Sequence, residues 1–280
     1  MKYREAYDEG SLLLKASEID NCSNDARLLL EYVCKTDRNT LYAETDKEIT
    51  DDEKAQYFDL IKKRAKHVPL QHLTGIQGFM GLDFCVNKDV LIPRPDTEIL
   101  VEEVLSSLHD KMSILDMCTG SGCILLSLLH YSNDCEGVGA DISDKALEVA
   151  KENASRLGIS AKFVKSDLFE NIEGTFDVIV SNPPYIRTCE IETLMPEVRD
   201  HDPFIALNGK EDGVSFYREI IKNAGYYLKQ GGLIAFEIGE DQGAEVSRML
   251  ADAGYVYVEV KKDLCGLDRV VTGRKKIDVR

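Results

Sequence analysis

Ser113-Ile-Leu-Asp-Met-Cys-Thr-Gly-Ser-Gly-Cys123 reads as a hydrophobic strand that runs through a glycine turn into a helix. Gly120 and Gly122 allow a tight turn and a close approach of backbone to ligand, as in the first loop of nucleotide-binding α/β folds. The dinucleotide fingerprint needs a third glycine, and Leu125 occupies that place, so a ligand lacking a pyrophosphate fits better. Alone, the loop is weak evidence, since a minority of such matches are plain strand-to-helix turns. Its surroundings decide the fold. Downstream, apolar runs alternate between strand and helix character: Ile124–His130, Gly137–Asp141, Asp144–Leu157, Ala161–Lys165, Phe176–Ser181, Gly213–Lys229, Gly232–Ile238 and Gln242–Ala253. Such alternation implies βαβ units and a parallel sheet covered on both faces, an α/β fold. Val256–Val260 and Arg269–Thr272 have no helix between them and are expected to close the sheet as an antiparallel pair.

Upstream the pattern differs. The first ~75 residues carry apolar positions at helical spacing, Leu12, Leu13, Ala16 and Ile19, then Leu28, Leu29, Leu30, Tyr32 and Val33. Thr50 with Glu53 three residues later predicts a capping box opening a helix that runs to about Lys66. The basic run Lys62, Lys63, Arg64, Lys66 suits a solvated helix end better than a binding patch. From Gln77 to Pro95 a strand period takes over, with Phe79, Leu82, Phe84 and Val86 followed by Val90, Leu91 and Ile92. Gly81 and Asn87-Lys88-Asp89 supply turns, so a hairpin is expected between two domains.

The chain has 280 residues, long enough for two domains, with 50 acidic against 34 basic residues and a formal charge of −16. Residues 76–280 carry 35 acidic and 22 basic residues. That balance disfavours a phosphate backbone as the main substrate. Neither a membrane span nor a signal peptide is legible, and the eight cysteines form no C-x-x-C pair. The expectation is a cytoplasmic protein with reduced thiols and no metal site.

Three further motifs fall at the ends of successive strands. Asp141 closes the second strand about twenty residues past the glycines, where a carboxylate can accept ribose hydroxyls in NAD and S-adenosylmethionine sites alike. Ser166-Asp167-Leu168 follows the third strand and offers a polar and an apolar partner for an adenine. Taken singly, Asp141 or Asp167 reads as well as a helix cap or loop carboxylate. After the fourth strand comes Asn182-Pro183-Pro184-Tyr185. The prolines cannot donate hydrogen bonds, so they end the strand and leave carbonyls free to accept. Asn182 adds a side-chain oxygen, giving two acceptors for one planar NH2 group, with Tyr185 as an aromatic wall.

At these residues the chain resembles the class I S-adenosylmethionine-dependent methyltransferases that act on planar amino or amide nitrogens. The likeness extends to Pro69-Leu-Gln-His-Leu-Thr-Gly75, Leu91-Ile-Pro-Arg-Pro-Asp-Thr-Glu98, Asn208-Gly-Lys-Glu-Asp-Gly213 with Phe216-Tyr217, and Phe236-Glu-Ile-Gly-Glu-Asp-Gln-Gly243. Together these are similar to the PrmC/HemK family, which methylates the glutamine of the Gly-Gly-Gln motif of peptide chain release factors. The resemblance implies a Rossmann-like seven-stranded sheet and three parts: a helical substrate-docking domain over 1–75, a β-hairpin linker over 76–94, and a methyltransferase domain over 95–280. It implies S-adenosyl-L-methionine held by Cys118, Thr119, Gly120, Ser121, Gly122, Asp141, Asp167, Leu168 and Asn182. Asn182, Pro183, Pro184 and Tyr185 would receive the substrate amide, with Asn182, Pro183 and Tyr185 catalytic. The expected partner is a release factor, with no nucleic-acid substrate, and the expected state a monomer. A ribosomal-protein glutamine is the alternative target. An N6-adenine or N2-guanine nucleic-acid methyltransferase shares the Asn-Pro-Pro-Tyr logic but calls for basic surface. A nicotinamide oxidoreductase lacks the third glycine, and a non-catalytic binding module would need a degenerate loop. Two departures from the family pattern stand out: Asp96 replaces its common Glu, and Met117-Cys118 replaces its usual Leu-Gly.

Overall fold

The computed structural model describes residues 1–277. Contacts divide the chain into two compact units, Met1–Ile76 with Met195–His201, and Gln77–Leu194 with the residues from Asp202 onward.

The first unit is helical: α1 (Tyr3–Ala16), α2 (Cys22–Cys34), α3 (Arg38–Ala43), α4 (Asp51–Arg64) and α5 (Leu70–Thr74). The expected capping box at α4 is present, with the Thr50 hydroxyl accepting from Glu53 N and Thr50 N donating to Glu53 Oε2. Tyr57, Ile61, Leu14, Leu29 and Leu30 are fully buried at its centre. The basic run splits as the helix turns. Lys62, Lys63 and Lys66 are exposed, while Arg64 is buried and binds Asp25 at 2.8 Å and Glu197 at 3.1 Å. Glu197, which also meets His67 at 3.1 Å, sits on the short helix α9 (Pro196–Arg199).

The second unit begins with a hairpin, β1 (Ile76–Phe79) and β2 (Leu82–Cys85), turned by Met80 and Gly81, both at positive φ. That is the primed turn favoured between twisted strands. Phe79 and Phe84 pack edge to face in the same core as Leu100, Ile124 and Val180. The expected strand over Val90–Ile92 is absent. Asn87 Oδ1 caps Asp89 N at 2.8 Å, and Val86 and Val90 are buried against Ala146 and Val149 without pairing to another strand. Helix α6 (Pro95–Leu105) then starts on a proline at its first position, where the missing N–H costs nothing.

There follow β3 (Ser113–Met117), α7 (Cys123–His130), β4 (Glu136–Asp141), α8 (Asp144–Leu157), β5 (Lys162–Lys165), β6 (Phe176–Ser181), a 3-10 turn at Thr188–Thr193, α9, and α10 (Phe204–Leu207). The chain finishes with α11 (Ser215–Tyr227), β7 (Leu228–Glu237), α12 (Gly243–Asp252), β8 (Val256–Lys262) and β9 (Asp268–Arg274). The seven strands from β3 onward form one sheet in the order β5-β4-β3-β6-β7-β9-β8. The first five run parallel, and β9 pairs antiparallel with β7 and with β8. Residues alternate between two cores. Leu115, Ile179, Ile234 and Phe236 face α11 and α12, and Ile114, Val178, Leu233 and Ala235 face α6 and α7. Both faces are covered, so these strands read as continuous apolar runs.

Gly10 tests the packing of the first unit. A Cβ there would lie 2.0 Å from Tyr57 Oη, and that hydroxyl donates to Ala26 O at 3.2 Å. Gly10→Ala gains helix propensity of up to about 1 kcal/mol, while overpacking costs about 1–3 kcal/mol and displaces a bonded hydroxyl. A net loss is expected, seen as a lower urea midpoint by circular dichroism; an unchanged midpoint would mean that Tyr57 moves aside freely.

Candidate active site

The parallel strands leave their C-terminal ends on one edge, and the order reverses around β3, where β4 and β6 flank it on opposite sides. Ligands bind at such a switch point. A cavity of about 410 Å³ opens there, within the range of small-molecule sites.

The loop after β3 forms its floor. Thr119 N donates to Ala140 O at 3.0 Å, and Thr119 Oγ1 donates to Asp116 Oδ2 at 2.5 Å, which folds the loop over the strand end. Gly120 (φ +54°) has open space where a side chain would begin, and Gly122 (φ +79°) would bring a Cβ to 3.2 Å from Ala150 Cβ. Cys118 adopts φ +62° without being glycine. That left-handed backbone favours glycine, and a side chain there costs about 1–2 kcal/mol. Burial pushes the Cys118 thiol well up, so it is protonated at neutral pH.

Asp141 ends β4 with both oxygens engaged, Oδ2 accepting from Gly120 N and Oδ1 from Ser143 N, each at 2.9 Å. One lone pair on each oxygen remains available. Ser166 Oγ donates to Leu168 O at 2.6 Å and holds Leu168 at φ +47°, which sets its side chain on the cavity wall beside exposed Asp167. At the end of β6, Ser181 Oγ donates to Met117 O at 2.6 Å. Asn182 follows, with Nδ2 donating to buried Thr97 Oγ1 at 3.4 Å.

Of the residues expected at the site, Cys118, Thr119, Gly120, Ser121, Asp141, Asp167, Leu168, Asn182 and Pro184 line this one cavity. Gly122, Pro183 and Tyr185 do not reach its wall. Gly122 caps α7, and Pro183 is buried. Tyr185 is turned so that its hydroxyl donates to Glu237 Oε1 at 3.3 Å, while its carbonyl accepts from Gln242 Nε2 at 3.0 Å. Sequence reasoning passed over Asp116, Thr97, Arg94, Phe216 and Glu237. Arg94 lines the cavity and pairs with buried Asp202, so the Pro-Arg-Pro block reads as more than punctuation.

The electrostatics favour a cationic ligand. Asp116 is buried with Oδ1 unpartnered, and burial raises its pKa to about 7 against the opposing Thr119 hydroxyl. Burial likewise raises Asp141 despite its backbone donors. No basic side chain is among the groups acting on either carboxyl. The donor set, the open space over Gly120 and the apolar faces of Leu168 and Ile142 fit S-adenosylmethionine, a cation with a ribose and an adenine.

Sheet order, switch-point cavity and donor set define a class I S-adenosylmethionine-dependent methyltransferase. Residues 5–75 match the PrmC N-terminal domain, and residues 95–197 match the methyltransferase small domain. Release factor glutamine methyltransferases of Clostridium acetobutylicum and Agrobacterium fabrum are 46% and 42% identical, over 97% and 94% of this chain and 98% and 93% of theirs. The chain belongs to the release factor glutamine methyltransferase family. Among solved structures, a methyltransferase from Pyrococcus furiosus has a TM-score of 0.54 at 18% identity, covering 81% of this chain and all of that one. The T. thermophilus 16S rRNA N2 G1207 methyltransferase, solved with AdoMet and guanosine, has a TM-score of 0.53 at 16% identity, covering 72% of this chain and 50% of its own. These two likenesses show the fold.

Two outcomes follow from the buried carboxyls. Asp141→Ala should weaken S-adenosylmethionine by about 1–3 kcal/mol, the cost of unmade hydrogen bonds to a charged acceptor. Calorimetry giving the wild-type affinity in a folded variant would place the ribose elsewhere. Asp116 ionises near pH 7 when folded but near 4 when unfolded, so between those values the folded state holds a proton that the unfolded state has released. Its contribution is complete below about pH 4 and falls by up to about 1.4 kcal/mol per pH unit as pH rises to 7. The ligand-free Asp116→Asn variant should show a flatter fall of melting temperature across that window than the wild type; equal slopes would mean that Asp116 is ionised throughout.

Proposed function

We propose that this protein transfers the methyl group of S-adenosylmethionine to the side-chain amide nitrogen of the glutamine in the Gly-Gly-Gln motif of peptide chain release factors. The observation that carries this reading is Asn182 on the wall of the cofactor cavity with its NH2 tied back to Thr97. Its Oδ1 is thereby free to accept a hydrogen from a planar amide. The relatives at 42–46% identity, named for glutamine methylation on release factors, supply the substrate.

An amide nitrogen is a weak nucleophile because its lone pair is shared with the carbonyl. Bound S-adenosylmethionine supplies an activated methyl group on a positively charged sulfur. Asn182 Oδ1 accepts one amide hydrogen and a backbone carbonyl of the Asn-Pro-Pro-Tyr turn accepts the other, which fixes the nitrogen and favours lone-pair density on it. These acceptors strengthen as the N–H groups become more acidic during methylation, so they bind the transition state more tightly than the ground state. Positioning and exclusion of water account for the remaining acceleration. No strong base is required, because the methylated nitrogen is acidic enough to shed its proton to water.

The helical first unit, read as the docking part, would bind the body of the release factor. Its exposed Lys62, Lys63 and Lys66 offer positive charge on an otherwise acidic chain. The acidic balance over residues 76–280 supports a protein substrate over nucleic acid.

Methyl-labelled S-adenosylmethionine incubated with a release factor, naked DNA or ribosomes should label the release factor alone, on one glutamine located by mass spectrometry. Label in DNA or ribosomal RNA instead would overturn the proposal. Asn182→Ala should lose about 10²-fold or more in turnover, the scale for one preorganised polar group; near-normal turnover at saturation would remove its amide-orienting role. Replacing Lys62, Lys63 and Lys66 by Glu should raise KM for the release factor and leave cofactor affinity unchanged; an unaltered KM would place docking elsewhere.

A further inference from the structure

Two neighbouring residues of the Asn-Pro-Pro-Tyr turn, Pro183 and Pro184, carry no N–H, so this stretch is short of the backbone bonds that would lock it. The hold comes from behind. Gln242 stands at the N-cap of α12, is 3% exposed and does not reach the cavity wall. Its Nε2 donates to Tyr185 O at 3.0 Å and to Gly213 O at 3.2 Å, and its Oε1 accepts from Gly239 N at 2.9 Å. Both amide hydrogens are thereby used. The side chain is anchored in turn by its own backbone, with Gln242 N donating to Gly239 O and Gln242 O accepting from Val246 N, each at 3.0 Å.

The partners decide which way round this amide sits. Two carbonyls face one end, which must be the NH2, and an N–H faces the other, which must be the oxygen. A flipped amide would set oxygen against two carbonyls and NH2 against an N–H, leaving buried groups unmatched. Space is as tight as the bonding. A Cβ at Gly213 (φ +75°) would lie 2.7 Å from Tyr185 O and 2.8 Å from Gln242 Nε2. Three segments thus meet on one side chain: the turn after β6, the turn leading into α11, and the turn after β7. Between Tyr185 and Asn182 stand only two prolines of fixed φ, so a displaced Tyr185 carbonyl moves Asn182 with little absorbed on the way. We propose that Gln242 is a positioning residue which, by holding the Tyr185 carbonyl from outside the cavity, fixes where the turn presents its acceptors to the substrate amide. The proposal rests on the amide-accepting role given to Asn182 above.

The test has two arms. One is methyl transfer to the release factor at saturation. The other is the pair of side-chain NH2 signals of Asn182 in 15N-labelled, substrate-free protein, assigned by their absence in Asn182→Asp. Gln242→Met keeps the length and removes every side-chain hydrogen bond of the clamp. Gln242→Glu keeps the shape and leaves at most one of the two carbonyls with a donor, and it serves where Gln242→Met does not fold. Each variant should lower kcat by about 10- to 100-fold, the effect of slight misplacement at a reacting centre. KM for the release factor and the calorimetric affinity for S-adenosylmethionine should keep their wild-type values, because Gln242 lies outside the cavity wall. The Asn182 NH2 signals should shift in both variants. Wild-type kcat in a folded Gln242→Met or Gln242→Glu, a cofactor affinity that falls in step with kcat, or unmoved Asn182 signals would each overturn the proposal. A wild-type protein inactive on release factors would overturn the assigned function alone, and the Asn182 signals would then decide the role of Gln242 in either direction.

Discussion

Strand β3 is paired in parallel on both sides and covered on both faces, and most of the site follows from that confinement. Ile114 and Leu115 point to opposite cores, and both are fully buried. The strand cannot slip by one residue without exchanging its two apolar faces and moving Asp116 out of reach of Thr119. Its fixed end fixes the loop after it, because Thr119 N is bonded to the neighbouring strand and Ser181 Oγ to Met117 O. Both the glycine loop and the Asn-Pro-Pro-Tyr loop are therefore measured from one rigid reference. The proposed methyl transfer through positioned acceptors would depend on that arrangement, since displacement of either loop would separate nucleophile from electrophile.

Charge is arranged around the same edge. Asp116, Asp141 and Glu237 are all pushed toward protonation by burial, and Asp141 raises Asp116 further. Only Glu237 has a guanidinium nearby, Arg269, and that cation is shared with Asp96 and Asp263. The carboxyls of Asp116 and Asp141 on the cofactor side thus have no protein cation acting on them, although Arg94 and Lys210 line the same cavity, and the side behind the substrate loop carries a cation that is already committed. A positively charged ligand supplies the missing partner on the first side. Once bound, it draws those carboxyls toward ionisation, coupling cofactor binding to proton release.

Much of the fold was legible because local signals agreed with the global pattern. The bounds of β6 and α8 coincide with the sequence reading, since two apolar faces, a Ser143 cap and Gly158 at the C-terminus left little freedom. The same logic found the cavity wall through Gly120, Asp141, Leu168 and Asn182. Three things were hidden. Pro95 looks like a stop but is the first residue of α6, because proline both breaks and begins helices. Val90–Ile92 has strand composition yet meets no partner strand, and pairing is a tertiary property. Glu237 sits inside an apolar strand, where sequence gives no hint that the Tyr185 hydroxyl meets it from 52 positions away.

The segment after Asn-Pro-Pro-Tyr was the least legible, because its assignment depends on pairs far apart in the chain. Glu197 meets Arg64 across 133 positions, and this places Met195–His201 in the first unit. The feet of that excursion are nevertheless fixed in the second. Ile186 N donates to Leu207 O at 3.0 Å, Gly209 N donates to Ile186 O at 2.8 Å, and Arg94 pairs with Asp202. A Cβ at Gly209 would lie 2.7 Å from the Tyr185 backbone, so glycine is what lets the returning strand of chain press against the loop. With its base closed by backbone on backbone, the Asn-Pro-Pro-Tyr turn keeps its carbonyls in place independently of what the excursion's tip contacts. The proposed methyl transfer, in which one loop holds an amide while another part of the chain docks the protein substrate, would use that separation.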